Sequence, residues 1–355
     1  MMNKQIWKGR RVLITGHMGF KGGWLTALLD SFGAQTVGFG RDARPDPLLY
    51  RQLRFERHES VDADVNDTDR LRATLHGKQI DCVFHLAAQP IVLSSYRDPL
   101  GTFRDNVMGT ASLLDAVRHS PTVRAVVVVT SDKVYENREW AWPYRETDRL
   151  GGRDPYSASK AAAEIITQSM ISSYFAGQDS ARIATVRAGN VIGGGDWAAH
   201  RLVPDAVRCF SKGEALVLRN PASVRPWQHV LDPLSGYVVL AQAMLTRSAA
   251  MPYSSWNFGP AADDAWPVSR VADAITAIWG DGARWKAMEQ AVATPHEAGL
   301  LRVDSSRARD ELRWEPTWRV SEAVERTMKW YRRYHSGDDA NALVMADIEA
   351  FAATL

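Results

Sequence analysis

A strand, a glycine-containing loop and a helix follow one another near the start of the chain, and this order constrains the fold more than any other feature. The apolar run 12–14 leads into the loop 15–22, TGHMGFKG, and a helical pattern follows as far as Phe32. Glycines in such a loop let the backbone approach a pyrophosphate at the positive N-terminus of the helix. We expect this loop to bind a dinucleotide cofactor through Gly16, His17, Gly19, Phe20, Lys21 and Gly22.

Strand and helix patterns alternate through the first half of the chain. Further strand-like segments occur at 35–40, near 60–61, and at 82–86, 124–130 and 183–187. The run AVVVV within the segment 124–130 is uniformly apolar, as expected of a central parallel strand buried on both faces. The alternation predicts an α/β fold with a Rossmann-type, doubly wound parallel sheet and ligands at the carboxyl ends of its strands.

The pattern loosens after about Gly189 into glycines, prolines, tryptophans and shorter periodic segments. We therefore predict that residues 1–189 form the dinucleotide-binding domain, to which segments near 232–262 return. Residues 190–355 are expected to form mainly a smaller, mixed α/β lobe that binds the substrate.

The residues that hold the adenosine part of the cofactor are left open by the sequence. The second strand ends in Arg41 and Asp42, which suit a 2′-phosphate and a 2′-hydroxyl respectively, and both also suit solvated positions in a loop. Asp64 and Val65 follow the third strand, where the carboxylate can accept a hydrogen bond from the adenine amino group or hold a turn.

Small residues follow the fourth strand, in the segment HLAAQ. Leu86, Ala87 and Ala88 allow the backbone to pass close to a flat cofactor. We assign His85, which precedes them, no chemical role. These residues extend the predicted cofactor site to a second strand end.

Tyr156 and Lys160 are the strongest candidates for chemistry. They stand four residues apart, so a helix places them on one face. The ammonium can then lower the pKa of the phenol and make it a base for a sugar hydroxyl, while Lys160 also binds the nicotinamide ribose. Ser131, at the end of the valine-rich strand, supplies a hydroxyl that can polarise the reacting oxygen. Together with the glycine loop, this pattern predicts a nicotinamide-dependent enzyme that acts on an alcohol.

Asp132 and Lys133 directly follow Ser131. An acid beside an amine in a loop is either a solvated pair or a proton-transfer pair, and their position alone leaves both interpretations open.

Composition excludes several other classes of function. The chain has 355 residues, 45% hydrophobic and 24% charged, with a net charge of +2 that favours no nucleic-acid partner. No apolar run reaches the roughly 20 residues of a membrane span, and the first residues lack the apolar core of a signal peptide. Two cysteines are too few for a disulfide framework. We expect a cytoplasmic enzyme with no membrane partner and no metal.

Five motifs, in order, resemble those of the extended short-chain dehydrogenase/reductase superfamily. They are TGHMGFKG, HLAAQ, TSDKVY, YSASK and RAGNVIGGGDW. Within that superfamily the chain resembles the nucleotide-sugar 4,6-dehydratases. It is most similar to those that act on CDP-glucose, because it has Asp-Lys after Ser131 where the enzymes for dTDP-glucose carry Asp-Glu.

The resemblance implies NAD as cofactor and CDP-glucose as substrate. Tyr156 would take the proton of the glucose 4-hydroxyl while hydride passes from C4 to NAD. Asp132 would protonate the leaving 6-hydroxyl, Lys133 would remove the C5 proton, and hydride would return to C6. The product would be CDP-4-keto-6-deoxyglucose, a deoxysugar precursor for surface polysaccharide such as O-antigen.

The residues that bind the substrate are predicted from the resemblance and from side-chain chemistry, less directly than those that bind the cofactor. Asn190 would bind a diphosphate or sugar oxygen, and Arg225 has the planar fork that suits a diphosphate, although an interface ion pair is its alternative. Arg201 and Arg219 are weaker candidates, and His296 matches a segment near the diphosphate or packs within the lobe. The resemblance also implies a homodimer or homotetramer, built through helices near 102–118 and 156–174.

Two other functions are consistent with part of this pattern. A nucleotide-sugar 4-epimerase shares the glycine loop and the Tyr-Lys pair but does not need the acid and base at Asp132 and Lys133. A non-catalytic NAD-binding scaffold would need none of Ser131, Tyr156 and Lys160.

Overall fold

The computed structural model describes residues 2–42, 47–177, 180–246, 255–289 and 298–354. The strands are β1 Arg11–Thr15, β2 Gln35–Gly40, β3 His58–Asp62, β4 Cys82–His85, β5 Ala125–Val129, β6 Arg182–Ala188, β7 Val191–Ile192, β8 Leu216–Leu218, β9 Val224–Arg225, β10 Gln228–His229, β11 Ser255–Phe258, β12 Trp266–Pro267 and β13 Trp285–Ala287. The α-helices are α1 Lys4–Trp7, α2 Phe20–Ser31, α3 Leu49–Gln52, α4 Thr68–Gly77, α5 Val92–Arg97, α6 Pro99–Phe103, α7 Gly109–Arg118, α8 Pro155–Tyr174, α9 Leu202–Phe210, α10 Leu231–Thr246, α11 Val268–Trp279, α12 Ser306–Leu312, α13 Val320–His335 and α14 Ala340–Ala353. A π-helical turn spans Arg104–Met108 and a 3₁₀ turn spans Asp132–Val134.

Seven strands form one parallel sheet in the order β11-β6-β5-β4-β1-β2-β3. Val12 of β1 lies opposite Thr36 of β2 on one side and Cys82 of β4 on the other. The chain order reverses at this point, and open α/β sheets bind ligands in the crevice outside the carboxyl ends of the strands there. The predicted doubly wound α/β fold is confirmed.

The sheet is buried on both faces, and its central strand β5 is apolar at every position. Val127 and Val129 of β5 pack in the core on one face, with residues of α2, α10 and α14, whereas Val126 and Val128 pack on the other, with residues of α4 and α7. Strand side chains alternate between faces, so the uniformly apolar run serves both layers.

Two segments from the second half of the chain join the main sheet. Ser255–Phe258 forms β11 beside β6, and α10 packs against β5. The remainder of that half contains three two-stranded ladders, β7–β10, β9–β12 and β8–β13, with helices around them. Within the described ranges, none of the helices has the length and apolar character to span a bilayer.

Candidate active site

The glycine loop forms a close-packed cradle at the end of β1. Gly16 has φ of +70°, and a Cβ there would lie 2.7 Å from the backbone nitrogen of Ala87. At Gly22 a Cβ would lie 2.2 Å from the carbonyl oxygen of Gly16. Helix α2 begins at Phe20, and Gly19 at its N-cap offers no side chain to the first backbone N–H groups. The cradle therefore fits the pyrophosphate of a dinucleotide.

The ring of His17 is directed away from the loop, into the packing between β2 and β3. Its Nε2 lies 2.8 Å from Ser60 Oγ, and it occupies the space that a Cβ at Gly38 would fill. Burial, and then the charge of His58, lowers the pKa of His17 to about 4, so the ring is neutral. Any contact of His17 with a cofactor would come through its backbone.

The loop after β4 is held against β1 by hydrogen bonds. The backbone N–H groups of Leu86 and Ala87 donate to Thr15 Oγ1 at 3.2 and 3.1 Å. The ring of His85 lies between Thr15 and Thr110, at 2.8 and 3.1 Å from their hydroxyls, and burial lowers its pKa to about 3. His85 thus anchors the loop as a neutral ring, and the 86–88 backbone is presented beside Gly16.

The π-helical turn Arg104–Met108, which the sequence pattern does not indicate, supports the same loop. Asn106 accepts a hydrogen bond from the backbone of Gln89 at 2.7 Å and donates one back at 3.1 Å. A Cβ at Gly109 would lie 2.6 Å from Val65, so the turn also fits closely against the segment after β3.

Acidic side chains surround the adenosine end of the crevice. Arg41 forms ion pairs with Asp64 at 3.2 Å and with Asp105 at 3.1 Å. Asp64 also accepts two hydrogen bonds of 2.9 Å from Asn66. Burial raises the pKa of Asp64, but the bonds from Asn66 and the charge of Arg41 together lower it by more, so the net shift is downward. Asp64 therefore holds a turn, its contact with an adenine stays a prediction, and Arg41 is already bound by two carboxylates.

Helix α8 brings the Tyr-Lys pair to the end of β5. It begins at Pro155, because Asp154 caps it by accepting a hydrogen bond of 2.9 Å from the backbone of Ser157. Tyr156 and Lys160 are both buried, and Tyr156 lies within hydrogen-bond reach of the Ser131 side chain.

The electrostatics of this pair differ from the expectation. Burial raises the pKa of Tyr156 to about 12, although the hydrogen bond with Ser131 opposes the shift. Lys160 donates to the carbonyl oxygen of Val129 at 3.1 Å, and burial lowers its own pKa to about 8. Burial and the charges of Asp132 and Asp154 raise the pKa of Tyr156 overall, so the expected lowering is not seen here, and the role of Lys160 stays a prediction.

Asp132 has the properties of a proton donor. It is 4% exposed, and its Oδ1 accepts a hydrogen bond of 3.1 Å from Ser131 Oγ. Its Oδ2 is buried without a hydrogen-bond partner among the described residues. Burial raises the pKa of Asp132, against the lowering effect of Lys133, Arg225 and other charges. Lys133 is half-buried in the 3₁₀ turn, with its backbone N–H bonded to Ser131 Oγ.

Lys21 extends from the glycine loop toward the same centre. Burial, and then the charge of Arg201, lowers its pKa to about 7, while Asp132 opposes this. Arg201 in turn is bound to Asp196 at 2.7 Å, and its charge acts on Tyr156. Lys21, expected to serve the cofactor, therefore also lies in the electrostatic field of Asp132 and Lys160.

The predicted substrate residues occupy different positions. Arg225 is buried in β9, and its charge acts on Asp132. Asn190 is half-buried directly after β6, and its carbonyl oxygen accepts a hydrogen bond from β10. Arg219 is exposed at the end of β8, and His296 lies outside the described residues.

A buried ion pair behind the site was missed by the sequence reasoning. Arg187 binds both oxygens of Glu164 at 2.8 and 2.7 Å, and Thr130 donates to the same carboxylate at 2.6 Å. A third donor bond of Arg187 reaches the hydroxyl of Tyr135 at 2.8 Å. Glu164 stands four residues after Lys160, so its helix face could have been read from the sequence. Its partner on β6 could not.

Comparisons with known proteins agree with this geometry. A family model described as GDP-mannose 4,6 dehydratase matches residues 13–327. The chain belongs to this family. It is 44% identical to a CDP-glucose 4,6-dehydratase of Salmonella typhimurium, over 96% of this chain and 95% of that protein. It is 29% identical to a dTDP-glucose 4,6-dehydratase of Streptomyces griseus, over 92% and 95%.

Solved structures of this dehydratase's fold include more distant enzymes. A UDP-glucose 4-epimerase from Stenotrophomonas maltophila with bound NAD has a TM-score of 0.80 at 22% identity, over 93% of this chain and all of that one. A UDP-glucuronic acid 4-epimerase from Bacillus cereus, in complex with UDP-glucuronic acid and NAD, has a TM-score of 0.78 at 22% identity, over 91% and 99%. At these identities the likeness establishes the shared fold. Within the described ranges, no three His, Cys, Asp or Glu side chains are grouped so that they could hold a metal ion.

Proposed function

We propose that this member of the family converts CDP-glucose to CDP-4-keto-6-deoxyglucose and water, with NAD as cofactor. The observation that carries the proposal is the placement of Asp132, a buried acid with raised pKa, beside Ser131 and Tyr156. Elimination of the 6-hydroxyl needs such an acid, whereas epimerisation at C4 does not. The 44% identity to the Salmonella enzyme supports CDP-glucose as the substrate.

The residues of the crevice fit NAD. The glycine cradle suits a pyrophosphate, and Arg41 is already paired with Asp64 and Asp105, so a 2′-phosphate would have to displace two carboxylates. A 2′-phosphate about 4 Å from one of these carboxylates would be repelled by about 1 kcal/mol even in water, which disfavours NADP. Bound NAD would supply a hydride acceptor for C4 and return the hydride to C6.

The protein's own residues then handle the protons. Tyr156 takes the proton of the 4-hydroxyl, and Ser131 holds the same oxygen by a hydrogen bond. The 4-ketone makes the C5 hydrogen acidic. Asp132 protonates the 6-hydroxyl as it leaves, so the C6–O bond breaks and the C5–C6 double bond forms. The raised pKa of Asp132 keeps the required proton on the acid.

Two lysines are candidates for the base at C5. The resemblance assigns this role to Lys133. A lysine acts as a base only where its surroundings depress its pKa, and burial lowers that of Lys21 to about 7. Loss of C5 proton exchange with solvent in Lys133→Ala, but not in Lys21→Ala, would assign the base to Lys133.

Asp132→Asn is expected to stall the reaction after C4 oxidation. Asparagine retains the size of the side chain but has no acidic proton, so elimination should slow by about 10²- to 10⁴-fold. Reduced cofactor should accumulate, visible by its near-ultraviolet absorbance in a single turnover. Glu136→Gln, a half-exposed acid four residues later, is the control and should turn over normally. Normal elimination in Asp132→Asn would remove Asp132 from the mechanism.

The substrate is tested by incubating the NAD-loaded protein with CDP-, dTDP-, GDP- and UDP-sugars and identifying the products. We expect turnover of CDP-glucose to a 4-keto product that has lost the C6 hydroxyl. A product that keeps this hydroxyl and is inverted at C4 would identify an epimerase. No turnover of any nucleotide sugar would favour the scaffold.

We also propose that two copies associate through α6, the π-helical turn and α8. Large apolar side chains are exposed on these elements, including Leu100 at 80%, Met108 at 54% and Ile165 at 59%. Burying this face against a second copy would remove it from water. Ile165→Glu is expected to yield monomers in light scattering, whereas Val217→Glu, at an exposed apolar position on β8, should not change the assembly.

The cellular setting follows from the same proposal. Cys82 and Cys209 are free thiols, which suits the reducing cytoplasm that we propose as its location. The product of the proposed reaction is a precursor of deoxysugars for surface polysaccharide.

A further inference from the structure

Tyr237 is a buried tyrosine at the active site that no motif indicates. It lies on α10, which packs against β5, the strand that precedes Asp132 in the chain, and against α2, the helix that carries Lys21. Its ring is 0% exposed, packs edge-on against Phe258 and has Lys21 Nζ 5.8 Å from its centroid. The charges of Asp132 and Tyr156 both act on its hydroxyl.

Two polar atoms at this place are buried without partners among the described residues. They are the hydroxyl oxygen of Tyr237 and Oδ2 of Asp132. A buried polar atom without a hydrogen bond destabilises the folded state, and phenylalanine in place of Tyr237 would avoid that cost. The Asp132 charge acts on the Tyr237 hydroxyl and Lys21 lies against the Tyr237 ring, so both unpartnered atoms belong to one buried polar region, which suits a small polar group that binds there during function.

We propose that Tyr237 and Asp132 form a subsite for the oxygen that leaves C6 of the hexose. The inference rests on the proposed dehydration and deepens it. Asp132 transfers its proton to this oxygen, the C6–O bond breaks with its electron pair, and one water molecule results. The Tyr237 hydroxyl donates a hydrogen bond to the same oxygen and retains its own proton. When the water has formed, the Asp132 carboxylate accepts a hydrogen bond from it.

Tyr237→Phe separates this role from a structural one. In the NAD-loaded variant, C4 oxidation should keep its rate while elimination slows by about ten- to a hundredfold, the effect of losing one hydrogen bond to a developing charge. Reduced cofactor should therefore accumulate in single turnovers with CDP-glucose. Because the hydroxyl has no hydrogen-bond partner in the part of the chain that the structure describes, the melting temperature should stay the same or rise, and the affinity for NAD should be unchanged.

Tyr144→Phe is the matched control. Its hydroxyl is also buried but is bonded to the Arg138 backbone at 2.6 Å and to Asn137 at 3.0 Å. This variant should lose thermal stability while the ratio of oxidation to elimination stays normal.

Three results would overturn the proposal. They are normal elimination in Tyr237→Phe, an equal loss of both steps with a lower melting temperature, and a weakened affinity for NAD with a normal step ratio, which would make the cofactor the partner of Tyr237. If the unmodified protein did not turn over CDP-glucose, that result would contradict the proposed function itself, whereas the three results above contradict only the role of Tyr237.

Discussion

Tyr156→Phe is expected to lower kcat by about 10²- to 10⁴-fold, the usual contribution of a positioned acid–base group. Phenylalanine fills the same buried volume but has no hydroxyl to take the proton from the sugar. The affinity for NAD should change little, because Lys160 and the glycine cradle remain. Oxidation at C4 is the step that should be lost, so no reduced cofactor should accumulate.

Single-turnover absorbance with CDP-glucose, together with NAD binding by calorimetry, measures both parts of this expectation. Tyr174→Phe is the control, since it removes a tyrosine hydroxyl from the exposed end of the same helix. Near-normal hydride transfer in Tyr156→Phe would show that another group is the base. Tyr156 can take this proton only as a phenolate, and burial raises its pKa to about 12, so the phenol must first lose its own proton and the rate of C4 oxidation is expected to rise with pH.

Arg187→Met is expected to lower the free energy of unfolding by about 3–5 kcal/mol, the range for breaking one side of a buried ion pair. The two side chains of the pair are 2% and 3% exposed, so Glu164 would be left charged in the core. Removing both charges with Arg187→Met and Glu164→Gln should recover part of the loss. Chemical denaturation of the unmodified protein, the single variant and the double variant measures these differences in the free energy of unfolding.

An exposed pair supplies the comparison. Arg319 binds Asp263 at 2.7 Å, but both side chains are more than half exposed, so Arg319→Met should change stability little. If Arg187→Met and Arg319→Met lowered the free energy of unfolding equally, burial would not be the reason that the Arg187–Glu164 pair is costly to break.

The pH dependence of the Arg187→Met effect follows from the pKa of Glu164. Burial raises this pKa, but Arg187 and the hydroxyls of Thr130 and Thr185 lower it more, so the net shift is downward. The folded protein therefore binds this proton less readily than the unfolded chain, and the stabilisation is present at neutral pH and lost as the pH falls through the carboxylate range. Without Arg187 the pKa of Glu164 should rise, so the destabilisation of the variant should shrink as the pH falls.

The glycine loop and the Tyr-Lys pair show how much a local pattern can predict. Gly16, Gly19 and Gly22 lie within one strand–loop–helix unit, and Tyr156 and Lys160 stand four positions apart on one helix. Their geometry depends on hydrogen bonds between near neighbours in the chain, so spacing was sufficient to place them. The fold class was predicted from such patterns and the family from the resemblance of five motifs, and both are confirmed, whereas the roles assigned to individual residues stay predictions.

The properties of those residues depended on contacts that spacing does not encode. The high pKa of Tyr156, the low pKa of Lys21 and the inward ring of His17 all result from burial by distant segments. Tyr237 comes within an ordinary apolar helix, and only the packing of α10 against β5 and α2 brings it to the site.

The amino-acid sequence by itself determined the sheet, the glycine loop after β1 and the helix that carries Tyr156 and Lys160, because strand periodicity, glycine spacing and the helix repeat act over a few residues. The tertiary structure decided which groups are charged and which polar atoms lack partners. Those properties depend on the removal of water and on charges contributed by elements far apart in the chain, as where Glu164 on α8 meets Arg187 on β6.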